Sequence, residues 1–214
     1  MKRMGVLGGI SAQATMDFEA RVHQVAQRLV PQQWNGGYPP MVVWYHRRLP
    51  IRFGDDGRPI VPMEVDPPRC PVLSMIDVAV GEVVCRGWKR VGVLGFNSAP
   101  PLYLDPLRQR GIHCETIDAR AQAALDAGIR AVMEGREGAV ETGHALAAVA
   151  ALRAAGVDGI ILGCTEIPLL VGKDGEAADL INPAALLAEA AVRLALPEPG
   201  SIPEIAVARG DAAS

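Results

Sequence analysis

The sequence has few aromatic residues, 4% of 214 positions, while half of its side chains are apolar. Its interior must therefore be filled by Ala, Val, Leu and Ile, the composition of parallel sheets buried on both faces. It also lacks a charge excess: 21 basic against 24 acidic residues give a net charge of -3, and no dense Lys/Arg run occurs. Such a chain has no field to attract a phosphate backbone, which excludes nucleic acid as an expected partner. No apolar run reaches the ~18 residues that a bilayer span requires. The start Met1-Lys2-Arg3-Met4-Gly5 enters strand-like text without the architecture of a signal peptide. The expectation is a soluble, cytoplasmic protein with no membrane partner. Cys70, Cys85, Cys114 and Cys164 form no CxxC pair, and His23, His113 and His144 stand at no metal-ligand spacing. A structural zinc site, a redox motif, a metal and a cofactor are all unexpected. Cys85, in helix-like text, and Cys114, in strand-like text, read as small buried hydrophobes.

What is present is an internal repeat. Lys2-Arg3-Met4-Gly5-Val6-Leu7-Gly8 recurs as Lys89-Arg90-Val91-Gly92-Val93-Leu94-Gly95, an offset of 87 residues. Each copy reads as the first strand of an α/β lobe, ending in glycine and followed by a helix. After the first, Ser11 is a candidate N-cap for a helix to Val30 whose apolar face is Ala14, Phe18, Val22, Val25 and Leu29. After the second, Asn97-Ser98-Ala99-Pro100-Pro101 leads into a helix over Leu102 to Arg110, stopped at Gly111. The second half continues as a strand (Ile112 to Ile117) and helical text broken near Gly135 to Gly138. An Ala-rich helix from about Val140 to Ala155 follows, then the strand Gly159 to Leu162, the turn Gly163-Cys164-Thr165-Glu166, a short strand Leu180-Ile181 and a helix from Ala184 to Leu196.

The first half has a strand at Met41 to Tyr45, Pro-rich loops, and Met75-Ile76-Asp77-Val78, which reads as the last strand of that lobe. On this reading Gly8 to Asp77 spans 69 residues and Gly95 to Asn182 spans 87, so the first half is shorter by 18. Between Asp55 and Arg69 stand Gly57, Pro59, Pro62, Pro67 and Pro68, which no regular helix accommodates. A βα unit ending in a Cys turn is therefore expected to be missing. The fold class is α/β, with two pseudo-symmetric lobes, each a mainly parallel sheet flanked by helices. Residues 1–84 form the shortened N-terminal lobe, completed by the helix 184–196. Residues 85–183 form the C-terminal lobe, and residues 197–214 a flexible tail.

Gly8-Gly9-Ile10-Ser11-Ala12-Gln13-Ala14-Thr15 near the start and Gly163-Cys164-Thr165-Glu166 late in the chain resemble the cofactor-independent aspartate/glutamate racemase family over about residues 2–196. The resemblance implies an active site in the cleft between two lobes, each supplying one cysteine, in a Cys-Asn-Thr or a Cys-Thr-Glu turn. The second turn is here and the first is not. The resemblance further implies a small-molecule carboxylate or amino-acid substrate, and a homodimer.

Racemisation without a cofactor needs a base on one face of Cα and an acid on the other. Cys164, at a strand end before a helix, is the expected catalytic thiol, with its pKa lowered by unsatisfied backbone N–H groups. Thr165 is a candidate donor to the substrate carboxylate, and Glu166 would orient Thr165 or the substrate ammonium group. By resemblance, Ser11, Thr15, Asn97 and Ser98 add further donors, although helix capping explains Thr15 and Ser98 equally well. The second base is open between Cys70, in the loop Arg69-Cys70-Pro71, and His46, beside Tyr45, Arg47 and Arg48. Three functions remain in play: a cysteine-based racemase of an acidic amino acid, a one-cysteine decarboxylase of a malonate-like acid, and an inactive carboxylate-binding relative.

Overall fold

The computed structural model describes residues 1–9, 11–31, 37–45, 52–53, 59–60, 72–97 and 99–196. In chain order the elements are β1 (Met4–Gly8), α1 (Ala12–Leu29), β2 (Met41–Tyr45), β3 (Arg52–Phe53), β4 (Pro59–Ile60) and α2 (Met75–Cys85). The second half runs β5 (Arg90–Leu94), α3 (Ala99–Arg108), β6 (His113–Glu115), α4 (Ala119–Glu134), α5 (Ala139–Ala154), β7 (Gly159–Leu162), α6 (Ile167–Val171), β8 (Leu180–Ile181) and α7 (Pro183–Ala195). The α/β class and parallel sheets expected from composition are those observed, with β3 and β4 forming a small antiparallel pair.

Local chemistry sets the helix ends. Ser11 Oγ accepts from Ala14 N–H at 3.3 Å and Asp118 Oδ1 from Ala121 N–H at 2.8 Å, each satisfying an orphan donor of a first turn. Asn182 caps α7 in the same way, with Pro183 at its first position. Gly135, at φ 67°, ends α4 in the left-handed conformation that glycine adopts without strain.

One expected strand is a helix. Met75 to Val78 opens α2, with Ser74 as N-cap accepting from Asp77 N–H at 3.3 Å. Four residues, three of them apolar, do not distinguish strand from helix by periodicity; here the cap and the continuation through Val83 decide it. Ser74 thus plays the part of Asn182, the N-cap of α7. It stands 66 residues after Gly8, whereas Asn182 stands 87 after Gly95, so the shortfall of the first half is 21 residues. A second correction concerns Cys85, which is exposed, because α2 buries Ala79, Val80 and Val83 and turns its last residues outward.

The second sheet is complete, with parallel strand order β6-β5-β7-β8. One face packs Leu94, Ile160 and Leu162 against Leu125, Ile129, Val149 and Leu152 of α4 and α5. The other packs Val91, Val93 and Ile161 against Ala79 and Val83 of α2 and Tyr103 and Leu107 of α3. Both faces of a parallel sheet are thereby removed from water.

Among the described residues, the first sheet has two parallel strands, β1 and β2, with Met4 opposite Met41 and Leu7 opposite Trp44. Its inner face packs Met4 and Met41 with Val22 and Ala26 of α1 and Ala188 and Val192 of α7. The outer face is bare: Leu7, Val42 and Trp44 are 60%, 59% and 68% exposed. The 87-residue offset places Leu7 on Leu94 and Gly5 on Gly92. Leu94 is fully buried under α4 and α5, and a Cβ on Gly92 would lie 2.8 Å from Leu152 of α5. A Cβ on Gly5 would meet nothing within 4 Å. The first lobe keeps a sheet face of the kind that α4 and α5 cover in the second.

This asymmetry predicts opposite outcomes for equivalent substitutions. Gly92→Ala should destabilise the protein by about 1–3 kcal/mol through overpacking. Gly5→Ala should be neutral or stabilising by up to about 1 kcal/mol, because alanine is easier to order in a strand than glycine. Urea denaturation of both variants checks this; equal losses would mean that the outer face of the first sheet is covered.

Candidate active site

Ligands of open parallel sheets bind beyond the carboxyl ends of the strands, where successive connections leave on opposite faces. In the second sheet that point lies between β5 and β7. The connection from β5 to β6 passes through α3 on one face, and that from β6 to β7 through α4 and α5 on the other. The loops leaving these two strands carry Phe96-Asn97 and Gly163-Cys164-Thr165-Glu166.

Gly163 joins the loops. Its N–H donates to the Leu94 carbonyl at 2.7 Å, and a Cβ there would lie 2.7 Å from that oxygen and 2.8 Å from the Tyr103 ring. No other residue fits without moving backbone. Beyond it, the Cys164 thiol donates to Glu166 Oε2 at 2.9 Å and the Thr165 hydroxyl donates to the same oxygen at 3.1 Å. Glu166 is only 2% exposed, so two short donors converge on one buried carboxylate.

This arrangement overturns the expectation of a lowered thiol pKa. Burial pushes the Cys164 thiol well above its ordinary value, and the charge of Glu166 and the hydrogen bond to it add to the rise. The backbone N–H groups of Glu166 and Phe96 act in the opposite sense and are outweighed. The helix that follows, α6, has five residues and begins beyond Glu166, so it offers the sulfur little dipole. Cys164 holds its proton at neutral pH, in the state that delivers one.

The other candidate residues fall into separate groups. Thr15 is buried; its Oγ1 accepts from Gly9 N–H at 2.9 Å and donates to the Ser11 carbonyl at 2.9 Å, while Ser11 Oγ caps α1. Both pin the turn after β1 to its helix. Asn97 has φ 37°, unusual for a residue with a side chain, and its N–H donates to Asp126 Oδ1 of α4 at 3.0 Å. Ser98, Cys70 and His46 lie outside the described residues. Among the described residues, no group of three or more His, Cys, Asp or Glu side chains is arranged to hold a metal, and no helix is long and apolar enough to cross a membrane.

Two features of this region escape the sequence reading. Gln122 and Asp126, one turn apart on α4, hold the loop after β5: Gln122 Nε2 donates to Asp126 Oδ1 at 2.7 Å and to the Gly95 carbonyl at 2.8 Å. Tyr103, on α3, lies against Gly163. Helical spacing puts Gln122 and Asp126 on one face of α4, but nothing local shows that this face meets the β5 loop.

If Glu166 keeps the proton on Cys164, removing its charge should ease ionisation. Glu166→Gln should shift the pH dependence of Cys164 alkylation by iodoacetamide downward and raise the rate at pH 8 on the order of tenfold, the change that one pKa unit makes. Peptide mass spectrometry resolved to Cys164 gives the rates. An unchanged or slower rate would mean that the carboxylate does not hold the thiol proton.

A family model described as Asp/Glu/hydantoin racemase matches residues 66–191, more than half of the chain. Among solved structures, the chain is similar to an aspartate racemase homologue from Pyrococcus horikoshii OT3, with a TM-score of 0.69, 19% identity and coverage of 91% of this chain and 99% of that one. It is similar to the aspartate racemase of Picrophilus torridus, at TM-score 0.70, 18% identity and coverage of 91% and 94%. A glutamate racemase from Francisella tularensis, in complex with D-glutamate, superposes at TM-score 0.54 and 14% identity, covering 90% of this chain and 80% of that one. At these identities the structural likeness carries the fold.

Proposed function

The chain belongs to the Asp/Glu/hydantoin racemase family, and from that premise we propose that it is a cofactor-independent isomerase of a small acidic amino acid, of the aspartate or glutamate type, with Cys164 as the proton-transfer group on one face of Cα. The observation that carries this reading is the Cys164–Glu166 pair at 2.9 Å, a thiol donating to a buried carboxylate at the end of a parallel strand. With the proton on sulfur, Cys164 is the acid that returns a proton to the Cα carbanion. Once it has given that proton up, Cys164 is a thiolate able to take the Cα proton, and the carbanion's electron pair delocalises into the substrate carboxylate. Thr165 is placed by its hydrogen bond to Glu166 beside the reacting thiol. The opposite face needs its own acid or base, for which Cys70 and His46 are the sequence candidates.

The protonated state of the thiol also favours a second reading, a one-cysteine decarboxylase of a malonate-like acid. There the C–C bond breaks to release carbon dioxide, its electron pair remains on Cα as an enolate, and the Cys164 S–H protonates that carbon from one side. Such a reaction has no need of a first-lobe cysteine. It predicts a single enantiomer of product.

Proton NMR in heavy water with L- and D-aspartate and L- and D-glutamate tests the first reading. Exchange of the Cα proton is expected, with a fall of about 10²–10⁴-fold in Cys164→Ala, the range for loss of a general acid or base. Inversion accompanying exchange identifies a working second group. Absence of exchange with all four compounds would sink the amino-acid racemase reading, and carbon dioxide release from a substituted malonate would then support the second. Silence in both assays would leave a carboxylate-binding relative.

A further inference from the structure

Helix α4 presents a row of three side chains, one per turn, to three consecutive residues of the loop that leaves β5. Gln122 Nε2 donates to the Gly95 carbonyl at 2.8 Å, Asp126 Oδ1 accepts from the Asn97 N–H at 3.0 Å, and the Arg130 guanidinium lies over the Phe96 ring, 5.5 Å from its centre. Residues spaced four apart follow one another along a single helix face. The row is tied together by the bond from Gln122 to Asp126 at 2.7 Å, while Leu125 and Ile129, between its members, root the helix in the core. Asp126 is the centre of this device: it is 8% exposed, and both of its donors are neutral.

The loop so held lies beside the candidate thiol. Leu94 is opposite Leu162 across the parallel pair, and the Gly163 N–H bonds to the Leu94 carbonyl. Two residues further on, Phe96 stands level with Cys164, on a neighbouring strand end about 4.8 Å away, and both side chains pack against the same core cluster. Asn97 stands level with Thr165. Its backbone is kept at φ 37°, a region that residues with side chains seldom occupy. What keeps it there is a bond to a carboxylate, a class roughly twice as strong as a neutral hydrogen bond. Its side chain is exposed, and the carboxamide has no partner among the described residues. The fold fixes the Asn97 main chain and leaves an amide donor free to meet a ligand oxygen.

We propose that Asp126 is a positioning residue: with Gln122 and Arg130 it holds the loop after β5 so that the Asn97 carboxamide receives the carboxylate borne by the carbon that reacts at Cys164. The proposal rests on the reading of Cys164 as the reacting group, but its test needs no turnover.

Iodoacetate and iodoacetamide alkylate a thiol through the same kind of carbon, and only iodoacetate carries a carboxylate on it, as the Cα of an amino acid does. Their rate ratio at Cys164, resolved by peptide mass spectrometry at pH 8, cancels changes in thiol ionisation and access, which move both reagents alike. In the native protein the ratio should exceed that of the same cysteine in urea. Asp126→Ala should lower the native ratio by about tenfold, the weight of one hydrogen bond to a charged group. Loss of the Asp126 charge by itself would favour the anionic reagent, so a fall cannot arise from it. Asp126→Asn, which keeps an acceptor for the Asn97 N–H, should retain most of the preference. Gln122→Ala, which removes the bond to Gly95, should lower the ratio in the same direction, and it carries the test if Asp126→Ala does not fold. A native ratio no higher than that in urea, or one that both alanine variants leave unchanged, would overturn the proposal even if the protein racemises amino acids. A preference for iodoacetate that falls in these variants would uphold it even if no Cα exchange is found with aspartate or glutamate, in which case only the assigned reaction fails.

Discussion

A parallel strand pair offers its chemistry at its carboxyl ends, and in this chain the pair that matters is β5 and β7. The register that sets Val91 against Gly159 and Leu94 against Leu162 is prolonged by the bond from Gly163 N–H to the Leu94 carbonyl. That bond draws the Cys164 turn onto the Phe96–Asn97 loop and closes the space in which a side chain at 163 would sit. The Cys164–Glu166 contact and the packing of Tyr103 against Gly163 both lie beside it. Slip the register of β7 by one residue and Cys164 would face the other side of the sheet.

The electrostatics of the turn are set by burial. Cysteine acid–base chemistry is often associated with a stabilised thiolate, but here the strongest neighbour is a carboxylate removed from water, and its effect on the thiol is to retain a proton. The donors that favour the anion are weaker in the resting state than the forces that favour the thiol.

The two halves show what a sheet needs and what happens when part is withheld. α7, which follows the second half, packs on α1 and the first sheet, while α2, which follows the first half, packs on the second. This exchange covers one face of each sheet. The opposite face of the second sheet is covered by α4 and α5, which lie between β6 and β7. The first half is 21 residues shorter over the equivalent span, and Leu7, Val42 and Trp44 stand uncovered. Val72-Leu73, which precede the Ser74 cap as Leu180-Ile181 precede Asn182, are not in a strand.

What the sequence by itself determined is local or repetitive. The seven-residue repeat located β1 and β5, Ser11 marked a helix start, Gly135 marked a helix end, and Gly163-Cys164-Thr165-Glu166 after an apolar strand marked the turn that carries the candidate thiol. Each depends on neighbours within a few residues, where capping, turn geometry and alternation are visible in the chain. Met75 to Val78 was misread because so short a stretch, three of its four residues apolar, is compatible with either period, and the Ser74 cap was the deciding signal. The protonation of Cys164, the placement of Tyr103 against Gly163 and the hold of Asp126 on the Asn97 loop were decided only by the tertiary structure. Those properties come from desolvation and from contacts between α3, α4 and two strand ends, which are far apart in the sequence and meet only when the sheet is folded.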